Sequence, residues 1–125
     1  MGGIIFTLLL MIFLHIVDDF YLQGWLASGK QRNWWIENAP DDKYKNDYIW
    51  CLIMHSFSWT FMVMLPVFIG CGFVITPSIA IMFVGNIVLH GYVDHNKANT
   101  KCFNLWQDQG LHMLQIFIIW ITFFV

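Results

Sequence analysis

With 58% hydrophobic and 11% charged residues in 125, and a mean hydropathy of +0.61, the chain lies outside the soluble globular range, where about 25% of residues are charged. Its net charge of −2 and its six basic residues, all in two polar segments, exclude a nucleic-acid-binding basic patch. Three scattered cysteines with no CxxC pair exclude a disulfide framework.

The sequence predicts an all-α polytopic membrane protein, a single domain over residues 1–125, with four transmembrane helices running up-down-up-down. The first span covers about residues 3–23, long enough to cross a hydrocarbon core of roughly 30 Å at about 1.5 Å per residue. It lacks the basic start and small-residue cleavage site of a secretory signal, so it reads as a retained span. Residues 24–47 form the one extended polar segment, a loop around Asn38-Ala39-Pro40-Asp41 with room for a short interfacial helix bearing Trp34 and Trp35. The second span is expected over about 48–70 and the third over 73–94, with Pro77 in the third span's first turns, where a missing N–H costs least. Residues 95–104 make a short loop, and 105–125 form the last span.

All six basic residues (Lys30, Arg32, Lys43, Lys45, Lys97 and Lys101) fall in the two loops on one side. The positive-inside rule makes that side cytoplasmic and puts both termini outside, here in a bacterial inner membrane. In this topology the polar ends of all four spans reach one depth. His15 pairs with Asp19, His90 with Asp94, and Asp108 with His112, each four residues apart and so on one helical face. With His55, the imidazoles lie roughly 8–12 Å inside the boundary. Facing lipid, each charged side chain would cost about 2.5 kcal/mol or more, so these stripes predict a shared polar interior.

Such nitrogen and oxygen donors without a thiolate set suit one or two divalent ions, Zn²⁺, Mn²⁺ or Fe²⁺. The expected metal ligands are His15, Asp19, His55, His90, Asp94, Asp108 and His112. Two bridged ions would suit phosphoester hydrolysis; a single ion would leave the surplus aspartates to orient imidazoles or act as base. Asp19, Asp108 and Lys97 are the catalytic candidates, and Gln23, Lys97 and Gln109 the substrate-binding ones. Taken alone, Lys97 reads as a snorkelling helix-end residue and Cys51 as a buried free cysteine. His95 and Asp18 point off the stripes and read as boundary residues.

The combination His15-x3-Asp19-Phe20-x2-Gln23, Lys30, His55, His90-x3-Asp94-x2-Lys97 and Asp108-Gln109-x2-His112 resembles a family of short bacterial and phage membrane proteins grouped as a domain of unknown function. The resemblance covers essentially the whole chain and implies a recurring site without naming a reaction. In motif type the pattern is also similar to membrane-bound metal-dependent hydrolases, although the very short termini leave no room for a soluble regulatory domain.

Three functions compete. The leading expectation is a metal-dependent membrane hydrolase acting on a phosphoester, in a lipid headgroup or a small molecule. The second is a proton or metal-ion transport or relay protein, disfavoured by the apolar outer halves of the spans. The third is a small membrane interaction protein with a structural metal or polar cluster. Di-iron redox chemistry is a further alternative. Membrane lipid is the expected partner, nucleic acid is not, and homo-oligomerisation stays open.

Overall fold

Every regular element among residues 2–125, which the computed structural model describes, is helical. Helix α1 (Gly2–Val17) continues into a π-helical turn, Asp18–Leu22. The first polar segment folds into two short helices, α2 (Leu26–Gly29) and α3 (Arg32–Asn38), and a 3₁₀ turn at Asp42–Tyr44. Three long helices follow: α4 (Asp47–Gly70), α5 (Pro77–Ala98) and α6 (Leu105–Phe124).

Three helical stretches are long and apolar enough to cross a membrane: Gly2–Leu22, Asp42–Gly70 and Pro77–Ala98. Helix α6 is 20 residues long, but Gln107, Asp108, Gln109, His112 and Gln115 crowd its first three turns, and it is not among these three.

The third long helix is displaced from its expected range of 73–94. Gly72 and Phe73 take left-handed φ angles of 61° and 60° and end α4. The Thr76 hydroxyl then accepts from the Ile79 N–H at 3.3 Å, with Pro77 in the first helical turn. These signals hold the start to Pro77, and the helix runs on past Asp94 to carry His95, Asn96 and Lys97. Helix α6 starts where expected, on a capping box: Asn104 Oδ1 accepts from the Gln107 N–H at 2.9 Å, and Gln107 Oε1 accepts from the Asn104 N–H at 3.0 Å.

Contacts between the long helices are antiparallel. His15 and Ile4 on α1 meet Gln109 and Trp120 on α6. His55 and Phe68 on α4 meet His90 and Phe83 on α5, and Asn86 on α5 meets Gln115 on α6. One end of the bundle is filled by apolar side chains, with Met11, Trp59, Val63, Met64, Ile116 and Ile119 fully buried.

The other half inverts the usual soluble arrangement. His15, Asp18, Asp19, His55, His90, Asp94, Asp108 and His112 are all buried, while Phe13, Phe20, Val88 and Leu114 are more than half exposed on the outer faces. Moving one such large apolar side chain from water into hydrocarbon stabilises by about 1.5–3 kcal/mol. The outer faces therefore match an apolar solvent, and the polar groups have only one another.

The first polar segment is tied down as a cap on this polar end. Trp25, Trp34 and Trp35 pack edge to face, and Trp35 Nε1 donates to the Gly29 carbonyl at 2.7 Å. Asn99, just past α5, donates through Nδ2 to the Lys30 carbonyl at 3.0 Å and accepts through Oδ1 from the Arg32 N–H at 2.6 Å. The two polar loops thus share one end of the bundle. Gly29 is required there: a Cβ would lie 2.9 Å from both Cys51 Sγ and the Trp25 ring.

Candidate metal centre

Each helix delivers its polar residues at the same level. His55 comes from α4, His90 and Asp94 from α5, Asp108 and His112 from α6, His15 from α1 and Asp19 from the π-turn. The four imidazoles are fully buried. His55 Nε2 lies 3.1 Å from Asp19 Oδ1, 3.3 Å from Asp94 Oδ2 and 3.2 Å from His90 Nε2. His112 Nε2 lies 3.2 Å from Asp94 Oδ1 and 3.6 Å from Asp108 Oδ1. The His90 ring lies 4.2 Å, centroid to centroid, from both the Trp59 indole and the His112 ring.

Three sets of residues, Asp19/His55/His90, His90/Asp94/His112 and Asp19/Asp108/His112, each bring one donor atom per residue within 4.8 Å of the others. This is a spacing at which a metal ion can be held. Successive sets share His90, Asp19 or His112, so the donors form one continuous cage.

A chain of hydrogen bonds fixes which nitrogen of His112 faces the cage. The Met82 carbonyl can only accept, so Asn86 turns its Nδ2 toward it at 2.8 Å, leaving Oδ1 to accept from Gln115 Nε2 at 3.0 Å. Gln115 Oε1 is then the acceptor for His112 Nδ1–H at 3.3 Å. As a neutral imidazole the ring would present its Nε2 lone pair to the Asp94 and Asp108 oxygens; as an imidazolium it would donate to them through Nε2. Lone pair against carboxylate repels, and a cation on that side reverses the sign. Neither His112 Nε2 nor Asp108 Oδ1 has a hydrogen-bond partner, and each such buried polar atom costs about 1–3 kcal/mol.

His15 is placed differently from the other three histidines. Trp59 Nε1, which can only donate, points at His15 Nδ1 over 2.7 Å, so His15 Nε2 carries the proton and donates to Gln109 Oε1 at 3.0 Å. Both ring nitrogens are used by the protein, and His15 belongs to none of the three donor sets. It orients Gln109 instead, whose Nε2 reaches Asp19 Oδ2 and Asp108 Oδ2, each at 3.0 Å. The expected ligands other than His15 are brought together.

Two lysines close the polar end. Lys30 Nζ donates to Asp94 Oδ2 at 2.6 Å, and Lys97 Nζ to Asp108 Oδ2 at 3.2 Å. Lys97 therefore does not pair with Asp94, its neighbour one turn back on the same helix. Gln23 bonds back through Nε2 to the Asp19 carbonyl. Above the lysines lies a cleft of about 310 Å³ lined by Gln23, Lys30, Gln31, Asp94, Lys97 and Lys101. A smaller one of about 120 Å³ reaches Asp19, Asp108 and Gln109. Chain position signals none of Lys30's role, since it lies on a loop 64 residues from Asp94. Trp59 had a signal available, because it follows His55 by four residues and shares its face.

No family model, curated protein or solved structure matches this chain. Four buried carboxylates, Asp18, Asp19, Asp94 and Asp108, stand against the two lysine ammonium groups. With neutral imidazoles two negative charges are left over, a deficit that one divalent ion or two imidazolium protons would match. The residues present fit such an ion: the imidazoles of His55, His90 and His112 and the carboxylates of Asp19, Asp94 and Asp108 are all buried and bring their donor atoms together.

Proposed function

We propose that this chain is a metal-dependent integral membrane hydrolase, crossing the membrane four times with both polar loops on the cytoplasmic side and both termini outside, in a bacterial inner membrane. The observation that carries the metal is the three overlapping sets of buried donor atoms within 4.8 Å of one another, with His112 Nε2 facing two carboxylate oxygens. The resemblance to short bacterial and phage membrane proteins belongs to the same proposal.

A divalent ion held by His55, His90, His112, Asp19 and Asp94 would supply Lewis acidity toward water and a substrate oxygen. Asp108 is the residue for the base: its Oδ2 is held by Lys97 and Gln109, while Oδ1 is buried and unpartnered. Asp108 takes a proton from water as the water oxygen bonds to phosphorus and the ester P–O bond breaks, and returns that proton to the leaving oxygen. Asp19, whose Oδ2 accepts from Gln109 Nε2, holds rather than reacts. Lys97, Lys30 and Lys101 with Gln23 and Gln31 line the cleft that a phosphate group would enter, and each ion-paired lysine keeps N–H donors in reserve. Gln109 faces the same opening from within.

The test is turnover of a panel of phosphoesters, both lipid and soluble, by protein reconstituted with Mn²⁺ or Zn²⁺. Activity lost in EDTA and in Asp108→Asn supports the proposal. A metal-loaded protein that turns over no member of the panel contradicts hydrolysis.

The lysine ion pairs favour one second reading, in which the cluster is structural and joins the helices without chemistry. In that case His90→Ala unfolds the protein; in the hydrolase it abolishes turnover and leaves the fold. Transport has less support, because the cage ends on the buried apolar side chains of Met11, Val63, Met64, Ile116 and Ile119.

A further inference from the structure

Asp18 sits beside the cage although its position in the sequence puts it off the polar stripe. The cause is the π-helical turn at Asp18–Leu22, closed by the Gln23 N–H on the Asp18 carbonyl at 3.1 Å, five residues back. The wider turn narrows the angle between successive side chains, and Asp18 and Asp19 both point inward and are buried. They flank His55 from opposite sides. Asp19 Oδ1 faces His55 Nε2 at 3.1 Å, and Asp18 Oδ2 faces His55 Nδ1 at 3.9 Å.

Both of those last atoms lack a hydrogen-bond partner, and both are enclosed by protein. The other carboxylate oxygen of Asp18 is held by the Ser58 hydroxyl at 2.6 Å, which fixes the side chain with Oδ2 toward the ring. An approach of about 1 Å would bring the pair to N–H···O distance. The arrangement parallels His112, where Gln115 Oε1 accepts from Nδ1–H and Nε2 faces the cage. In His55 the choice of tautomer decides whether Nε2 offers a lone pair to the cage or a proton to Asp19.

We infer that Asp18 is a positioning residue, held by Ser58 and the π-turn, that keeps the His55 proton on Nδ1 and so makes Nε2 a metal donor. The inference rests on the metal reading. It adds that the centre has a carboxylate on the far side of one ligand, an arrangement whose loss commonly lowers metal affinity 10–100-fold.

Co²⁺ serves as the probe, titrated into the full-length protein in detergent micelles and followed by its d–d absorption, with thermal unfolding recorded in parallel. Asp18→Asn should weaken Co²⁺ binding about 10–100-fold and alter the d–d band. Ser58→Ala, which frees Asp18 without removing it, should weaken binding several-fold in the same direction and covers the case in which Asp18→Asn does not fold. A merely structural Asp18 would lower the unfolding temperature and leave affinity and band unchanged, and that result in a folded variant overturns the inference. Failure of the unsubstituted protein to take up Co²⁺ overturns the metal reading itself, and the inference with it.

Discussion

Lys30 and Asp94 are joined by a 2.6 Å hydrogen bond between the end of α2 and the last turns of α5, with 13% of the lysine side chain and 3% of the aspartate exposed. The same oxygen of Asp94 lies 3.3 Å from His55 Nε2, so the lysine touches a group at the centre of the cage.

Removing that lysine leaves a buried carboxylate uncompensated. Lys30→Met should destabilise the protein by about 3 kcal/mol, the scale for breaking one side of a buried pair. Lys97→Met, whose lysine is 39% exposed, should cost no more than about 1 kcal/mol. Unfolding in micelles by denaturant titration measures both. Adding Mn²⁺ at a hundredfold excess over its dissociation constant should stabilise either variant by about 2.7 kcal/mol, since the ion binds only the folded state.

The hydrogen-bonded line from the Met82 carbonyl through Asn86 and Gln115 to His112 gives a second prediction. Gln115→Leu removes the acceptor for His112 Nδ1–H and lets the ring take the other tautomer. Metal affinity should fall about 10–100-fold. Asn86→Leu should act in the same direction, and the two together should be less than additive because they break one line. Calorimetric titration with Zn²⁺ reads all three.

His15 provides the contrast among the histidines. Trp59→Phe keeps an aromatic face against His90 but orphans His15 Nδ1, at a cost of about 1–3 kcal/mol in stability. His15→Leu should reduce stability while leaving metal stoichiometry intact, whereas His90→Ala should abolish metal uptake. Metal content per chain, measured on folded variants, separates the two.

The cap makes a steric prediction. Gly29→Ala puts a Cβ 2.9 Å from Cys51 Sγ and the Trp25 ring, and overpacking of this kind costs about 1–3 kcal/mol. Because Lys30 is the next residue, its bond to Asp94 should be strained with it. The loss of stability in Gly29→Ala should therefore shrink when Lys30 is already methionine, a coupling that a double-mutant cycle measures.

Much of the cage could be read from the chain because its parts repeat at helical spacing. His15 with Asp19, His90 with Asp94 and Asp108 with His112 each sit four residues apart, and the alternating direction of the helices brings them to one depth. What spacing could not give was anything set by a departure from a regular helix or by a loop folding back. The π-turn rotates Asp18 inward, and no residue type marks a π-turn in advance. Lys30 reaches Asp94 only because Asn99 and the tryptophan cluster fold residues 24–46 over the end of the bundle. The start of α5 was legible in Thr76 and Pro77, but an apolar run continuing back to Phe73 outweighed those local signals. His15 matched the other histidines in depth and periodicity, and only the indole N–H of Trp59 sets it apart.

The cage formed by Asp19, His55, His90, Asp94, Asp108 and His112 is proposed to hold a divalent ion. The most direct measurement is elemental analysis of the purified, folded protein, with anomalous scattering from its crystals to place any ion found. The account predicts one or two transition-metal ions per chain, bounded by the Nε2 atoms of His90 and His112, removed by chelator with a loss of stability and missing from His90→Ala. A folded protein that carries no metal, takes none up from Zn²⁺, Mn²⁺ or Fe²⁺, and unfolds at the same temperature with and without chelator would contradict it.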